Sequence, residues 1–122
     1  MFQGLIPVLR TWNFEATLEF YQSVLGFECV SRNDEYRWAQ LRRDKAEIMF
    51  SGPNEHLGET EPIFTGSLYF QCNDVEDLWQ AISSLARVCY PLEDFEYGMR
   101  EFAIFDNNGY LLQFGKSLQL DD

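Results

Sequence analysis

The chain has 122 residues, the size of a single domain, and 46% of them are hydrophobic and 16% aromatic, with eleven Phe, six Tyr and three Trp. That composition excludes a disordered chain and supplies material for a core and a lined pocket. Twenty acidic against nine basic side chains give a formal charge of -11, which repels nucleic-acid backbones and anionic lipid and suits a cationic ligand or a well-solvated surface.

No apolar run approaches membrane-spanning length, and Met1-Phe2-Gln3-Gly4 leads straight into a strand-like run without a basic and apolar leader. A cytoplasmic protein with no membrane or nucleic-acid partner is expected.

In chain order, Leu5-Ile6-Pro7-Val8-Leu9 predicts a strand, with Pro7 near its start where a missing N–H is tolerated. Asn13 suits a helix N-cap, and Phe14, Leu18, Tyr21 and Leu25 recur at helical spacing before the stop signal Gly26, predicting a helix over 14–24. Strands follow over 27–31, 36–41 and 46–50, the last two joined by Arg42-Arg43-Asp44-Lys45. Between 51 and 65 the composition shifts to a loop rich in Gly, Pro, Asn, Glu and Thr.

The order of elements then repeats. A strand over 68–72 precedes a helix capped by Asp74 and running to about Leu85, with Val75, Leu78, Trp79 and Ile82 on one face. A short strand over 88–92 is followed by a hairpin, 101–105 and 110–114, across Asp106-Asn107-Asn108-Gly109, whose Asn-Gly is the strongest hairpin signal in the chain. The halves superpose as patterns, with Asn13 falling on Asp74 and the hairpin from Trp38 to Phe50 on that from Phe102 to Phe114.

The expected fold is therefore α+β: one domain over 1–122 made of two βαβββ modules, about 5–51 and 66–116, in curved mixed sheets. A four-stranded sheet with one helix leaves a face uncovered, which pairing of the two sheets within the chain or exchange of halves between two chains would bury, and a homodimer is expected.

The chemistry is sparse. Cys29, Cys72 and Cys89 are widely spaced in apolar contexts, so buried free thiols are expected rather than a disulfide framework or a metal knuckle. His56 is the sole histidine, in the polar inter-half loop, where a solvated residue is expected. No phosphate-cradling glycine loop, Ser-His-Asp or Cys-His arrangement is present. Arg100 and Glu101, adjacent on a strand, point to opposite faces, so an exposed or ion-paired Glu101 is expected over a general base.

Ile6-Pro7-Val8-Leu9, Asn13, Phe20-Tyr21 and Leu25-Gly26-Phe27 resemble the opening of the vicinal oxygen chelate superfamily, which includes glyoxalase I, extradiol dioxygenases and bleomycin-resistance proteins. Tyr97-Gly98-Met99-Arg100-Glu101-Phe102, then Asp106, Gly109 and Gln113-Phe114, looks most like the bleomycin-resistance branch. The resemblance spans nearly the whole chain. It implies four metal-ligand positions, held here by Ile6, Met49, Ser67 and Gln113, which is a poor donor set for a divalent first-row metal. No metal, no cofactor and no catalytic residue are therefore expected.

Ligand binding is expected at Asp34, Glu35, Tyr36, Trp38, Phe50, Tyr69, Tyr97, Glu101 and Phe102, with Phe95 nearby in sequence. Rings stack on flat heteroaromatic groups, and carboxylates steer and hold a cationic tail. Trp38, Phe50 and Phe102 have a competing place in the core, while the phenols can face both rings and water. The implied function is non-catalytic sequestration of a bulky cationic aromatic compound such as a bleomycin-type glycopeptide antibiotic. The alternative is a glyoxalase- or dioxygenase-like enzyme acting on another small substrate.

Overall fold

The computed structural model describes residues 1–53 and 61–119; His56, with Asn54 and Glu55, lies outside the described residues. The chain divides into two compact units, Met1–Phe64 and Thr65–Asp122. Each contains a four-stranded mixed sheet and a helix, an α+β organisation with the same βαβββ order in both halves. No helix among the described residues is long and apolar enough to cross a membrane.

In the first unit β1 (Val8–Arg10) is followed by α1 (Phe14–Glu19) and then by β2 (Glu28–Asn33), β3 (Trp38–Arg43) and β4 (Ala46–Ser51). The sheet order is β1-β4-β3-β2, with β1 parallel to β4 and the other pairs antiparallel. Alternation places Leu9, Ala39, Leu41, Ile48 and Phe50 on one side, all buried, in register as Leu9 with Phe50, Ala39 with Phe50 and Leu41 with Ile48. Phe14, Leu18 and Tyr21 cover that side and are buried with them.

The helix predicted over 14–24 is not α-helical throughout. After Glu19 the chain widens into a π-helical turn, Phe20–Val24, closed by the Leu25 N–H on the Phe20 carbonyl and stopped by Gly26 at φ 70°. The turn carries the wholly buried Tyr21 among Phe20, Phe27 and Phe50, whose ring centroids lie 5.6, 5.6 and 4.9 Å away.

Asn13 occupies the N-cap position but makes no side-chain cap bond. Two buried hydroxyls tie the turn instead: Thr11 Oγ1 accepts the Asn13 N–H, and Thr17 Oγ1 donates to the Asn13 carbonyl and lies 2.8 Å from Thr11 Oγ1. Asp74 likewise caps through its backbone carbonyl, which accepts the Leu78 N–H, and not through its side chain.

The second unit repeats the plan with β5 (Leu68–Gln71), α2 (Val75–Ile82), β6 (Arg87–Phe95), β7 (Met99–Phe105) and β8 (Leu111–Ser117), in sheet order β5-β8-β7-β6. Phe102 pairs with Phe114 and Ile104 with Leu112, and Phe70 and Leu68 continue the row on β5. Trp79 of α2 packs on Phe102 at 5.1 Å, so this is the helix side of the sheet. The β7–β8 turn closes as its sequence predicts: the buried Asp106 accepts the backbone N–H groups of Asn108 and Tyr110 at 2.8 and 2.9 Å, and Gly109 takes φ 89°.

The cysteines depart from expectation. Cys89 is exposed on β6 and Cys29 and Cys72 are half-buried. Alternation on an edge strand sends one face to solvent whatever its polarity, and an apolar sequence neighbourhood does not bury a thiol there.

Candidate functional site

The side of the second sheet opposite α2 carries an unusual load of polar side chains. Register places Tyr69 beside Gln113, Gln113 beside Ala103, and Glu101 beside Gly115. Tyr90 pairs with Ala103 on the other flank, where two irregularities in the β6–β7 register let β6 re-aim its side chains.

Glu101 is 1% exposed and sits at the centre of this group. Tyr69 donates its phenolic hydrogen to Glu101 Oε1 at 2.9 Å, and Tyr90 donates to Oε2. The Tyr90 oxygen in turn accepts the Gln113 side-chain N–H at 2.9 Å, and Gln113 Oε1 accepts from Ser67 Oγ at 2.5 Å. The result is a directional chain in which Ser67, Gln113 and Tyr90 pass their donors in series toward one carboxylate, with Tyr69 closing on it from β5. A buried carboxylate is costly unless hydrogen bonds disperse its charge, and here two phenols do so.

The phenols register the same environment. Burial first, and then the hydrogen bond to Glu101, push Tyr69 up to about 12. Tyr90 is raised by burial and then by Glu101, against a lowering by Gln113. Tyr97, raised by burial and then by its interaction with Glu101, stands in the turn before β7. All three stay protonated at neutral pH, and Tyr69 and Tyr90 act as donors to Glu101.

The rim of the group is aromatic. Tyr97 stacks on Phe95 with centroids 5.4 Å apart and planes 13° from parallel, and Phe95 meets Tyr90 edge-on at 5.4 Å. Tyr97 and Tyr69 are 64% and 42% exposed, so ring surface faces outward above a buried negative charge.

Of the residues predicted for ligand binding, Tyr69, Tyr97 and Glu101 therefore come together. Phe102 does not face this group: it is wholly buried on the helix side, stacked on Phe114 at 5.0 Å. In the first unit Phe50 is wholly buried against Tyr21. Both rings belong to the core, because their strand positions share the parity of the helix-facing rows. Asp34, Glu35 and Tyr36 lie exposed in the turn between β2 and β3, and Trp38 is half-buried at the start of β3. Asp34 is engaged by Arg32 at 2.7 Å, and Arg32 also reaches Glu15 at 2.8 Å.

The expectation of an exposed or ion-paired Glu101 is corrected, although the opposite-face argument holds. Arg100 points to the helix side and pairs with Asp94 and Glu76, each at 2.7 Å, while Lys116 also reaches Glu76 at 2.8 Å. Glu101 faces away from those partners, into the phenols.

Sequence reasoning missed Tyr90 and Gly115. A glycine within a strand is a sign of close approach, and this one makes room for Tyr69. Tyr90 carries no comparable sign, since the irregular register of β6 decides where it points.

The four positions at which ligands are implied do not fit a resident metal. Ser67 and Gln113 are bonded to each other, both are neutral, and Ile6 and Met49 provide no oxygen or imidazole donor. Among the described residues no three His, Cys, Asp or Glu side chains gather as a metal site would require.

Comparison with known proteins places this geometry in context. The family model described as the Glyoxalase/Bleomycin resistance protein/Dioxygenase superfamily matches residues 6–114. No curated protein matches the sequence.

Among solved structures, the fold is similar to a glyoxalase/bleomycin resistance protein/dioxygenase from Nocardioides, with a TM-score of 0.78, 13% identity, and coverage of 100% of this chain and 88% of that one. It is similar to lactoylglutathione lyase from Agrobacterium tumefaciens, with a TM-score of 0.73, 16% identity and 93% coverage of each chain. It is also similar to the bleomycin-binding protein of bleomycin-producing Streptomyces verticillus, solved with copper(II)-bleomycin, with a TM-score of 0.69, 23% identity, and coverage of 93% and 95%. At these identities the likeness is one of fold.

Proposed function

The chain belongs to the glyoxalase/bleomycin resistance protein/dioxygenase superfamily, and on that footing we propose that it is a non-catalytic small-molecule binding protein that sequesters a bulky cationic aromatic compound, such as a bleomycin-type glycopeptide. The observation that carries this reading is the buried Glu101 carboxylate bracketed by Tyr69 and Tyr90 beneath the outward-facing Tyr97 and Phe95 rings. Flat groups stack on such rings, and a cation gains from both the ring faces and the carboxylate. The formal charge of -11 steers a cation toward the protein.

Sequestration needs no proton transfer, which suits a site whose phenols are held protonated. The exposed acidic and aromatic turn of Asp34, Glu35 and Tyr36, with Trp38 behind it, is proposed as a second contact region for the same class of ligand. Homodimerisation belongs to this reading. Sedimentation equilibrium tests it.

Isothermal titration of the purified protein with a bleomycin-type glycopeptide tests the function. Saturable binding at one or two ligands per dimer is the expected result. An absence of heat at high micromolar ligand overturns the antibiotic. Turnover of a small substrate by the same preparation would replace sequestration with a glyoxalase- or dioxygenase-like activity.

A further inference from the structure

We propose that the Tyr69–Glu101 group recognises a protonated amine: an aryl-bearing ammonium whose N–H groups meet a phenolic oxygen backed by the buried carboxylate. The proposal rests on the small-molecule reading above and names the ligand chemistry for that site.

Glu101 is buried, and none of the ion pairs among the described residues includes it. Its charge is dispersed through two O–H donors, and an O–H that donates to a carboxylate leaves its own oxygen a stronger acceptor. Tyr90 spends that acceptor on the Gln113 amide. Tyr69 donates to Glu101 in the same way, but no donor to its oxygen is seen among the described residues. Tyr69 is also 42% exposed as a residue, and its oxygen is the acceptor that the proposal assigns to a ligand.

The stacked Phe95–Tyr97 pair adds ring faces to which a cation is drawn. An anion would meet the Glu101 field, and a neutral alcohol would gain the hydrogen bond without the charge. The arrangement therefore selects for a positive charge that carries N–H donors next to an aryl group.

The test is an NMR titration of the full chain at neutral pH with benzylammonium, benzyltrimethylammonium and benzyl alcohol, following the tyrosine ring resonances. Benzylammonium is expected to bind at least about tenfold more tightly than benzyl alcohol, with benzyltrimethylammonium between them. Glu101→Gln should bring the ratio of benzylammonium to benzyl alcohol close to one. Tyr69→Phe, which keeps the ring and loses the oxygen together with its hydrogen bond to Glu101, should lower benzylammonium to the level of benzyltrimethylammonium. If circular dichroism shows Glu101→Gln unfolded, Tyr69→Phe carries the comparison.

Equal binding of benzyl alcohol and benzylammonium overturns the proposal. So does benzyltrimethylammonium binding as tightly as benzylammonium, or a preference unchanged in both variants. A glycopeptide bound equally well by the unmodified protein and both variants overturns the ammonium site while leaving sequestration standing. Ammonium selectivity without glycopeptide binding supports the site and overturns the antibiotic.

Discussion

The Tyr69 phenol fills the space that a side chain at position 115 would take: a Cβ on Gly115 would lie 2.1 Å from Tyr69 Oη and 3.0 Å from the Glu101 Cβ. Glycine is thus needed at this point of β8 for close approach, and the Tyr69–Glu101 hydrogen bond depends on it. Gly115→Ala should expel the Tyr69 phenol from Glu101 and cost about 1–3 kcal/mol by overpacking. Denaturant unfolding would give the stability change, and a ligand titration of the same variant should show weakened binding. A variant with unchanged stability and unchanged binding would show that the sheet relaxes around the extra carbon.

Ionisation of Tyr69 provides a second readout. Its pKa is raised to about 12 from an ordinary 10.0, by burial and then by Glu101. Because the folded value lies above the unfolded one, the stabilisation is fully present below about 10 and is lost as pH rises toward 12. Ultraviolet titration of phenolate should show a tyrosine ionising late, and Glu101→Gln should bring it earlier. Coincident titration curves for the two proteins would rule out the coupling.

Glu76 makes the opposite prediction at the acid end. Hydrogen bonds from Lys116 and then Arg100 lower its carboxyl to about 2 from 4.5. With the folded value depressed, its contribution is present above 4.5 and disappears as pH falls toward 2. Melting temperature measured across that window should fall less steeply in Glu76→Gln than in the unmodified protein. The difference should shrink in high salt, since the pairs are solvent-accessible.

Core and rim of the second unit should separate by mutation. Phe102→Ala removes a wholly buried ring packed by Trp79 and Phe114 and should cost about 3–5 kcal/mol. Tyr97→Ala, at a residue 64% exposed, should cost no more than about 1 kcal/mol while weakening ligand binding. Chemical denaturation of both variants checks the contrast. A large loss at Tyr97 would move it from ligand rim to structural support.

Much of the architecture was legible in local sequence. Apolar alternation in Ala39, Leu41, Ile48 and Phe50 follows from the two-residue period of a strand, and the Asp106–Gly109 turn from the backbone demands of a tight hairpin. Local signals stopped at the ends of elements. Asn13 and Asp74 marked helix starts by residue type, yet backbone carbonyls and, in the first unit, the Thr11 and Thr17 hydroxyls make the bonds. The single predicted helix over 14–24 became two kinds of turn, because the packing of Tyr21 against Phe50 involves a partner far along the chain.

The sequence by itself determined the doubled βαβββ pattern and the opposite directions of Arg100 and Glu101, since each follows from a residue's own chemistry or its immediate neighbours. Only the tertiary structure decided that Glu101 is buried under Tyr69 and Tyr90 and not ion-paired, and that Phe50 and Phe102 are core. Those outcomes depend on which strands pair and in what register, with contacts 11 and 32 residues apart in the chain. Alternation tells a residue's side of the sheet; the register across β5, β8, β7 and β6 chooses its neighbours.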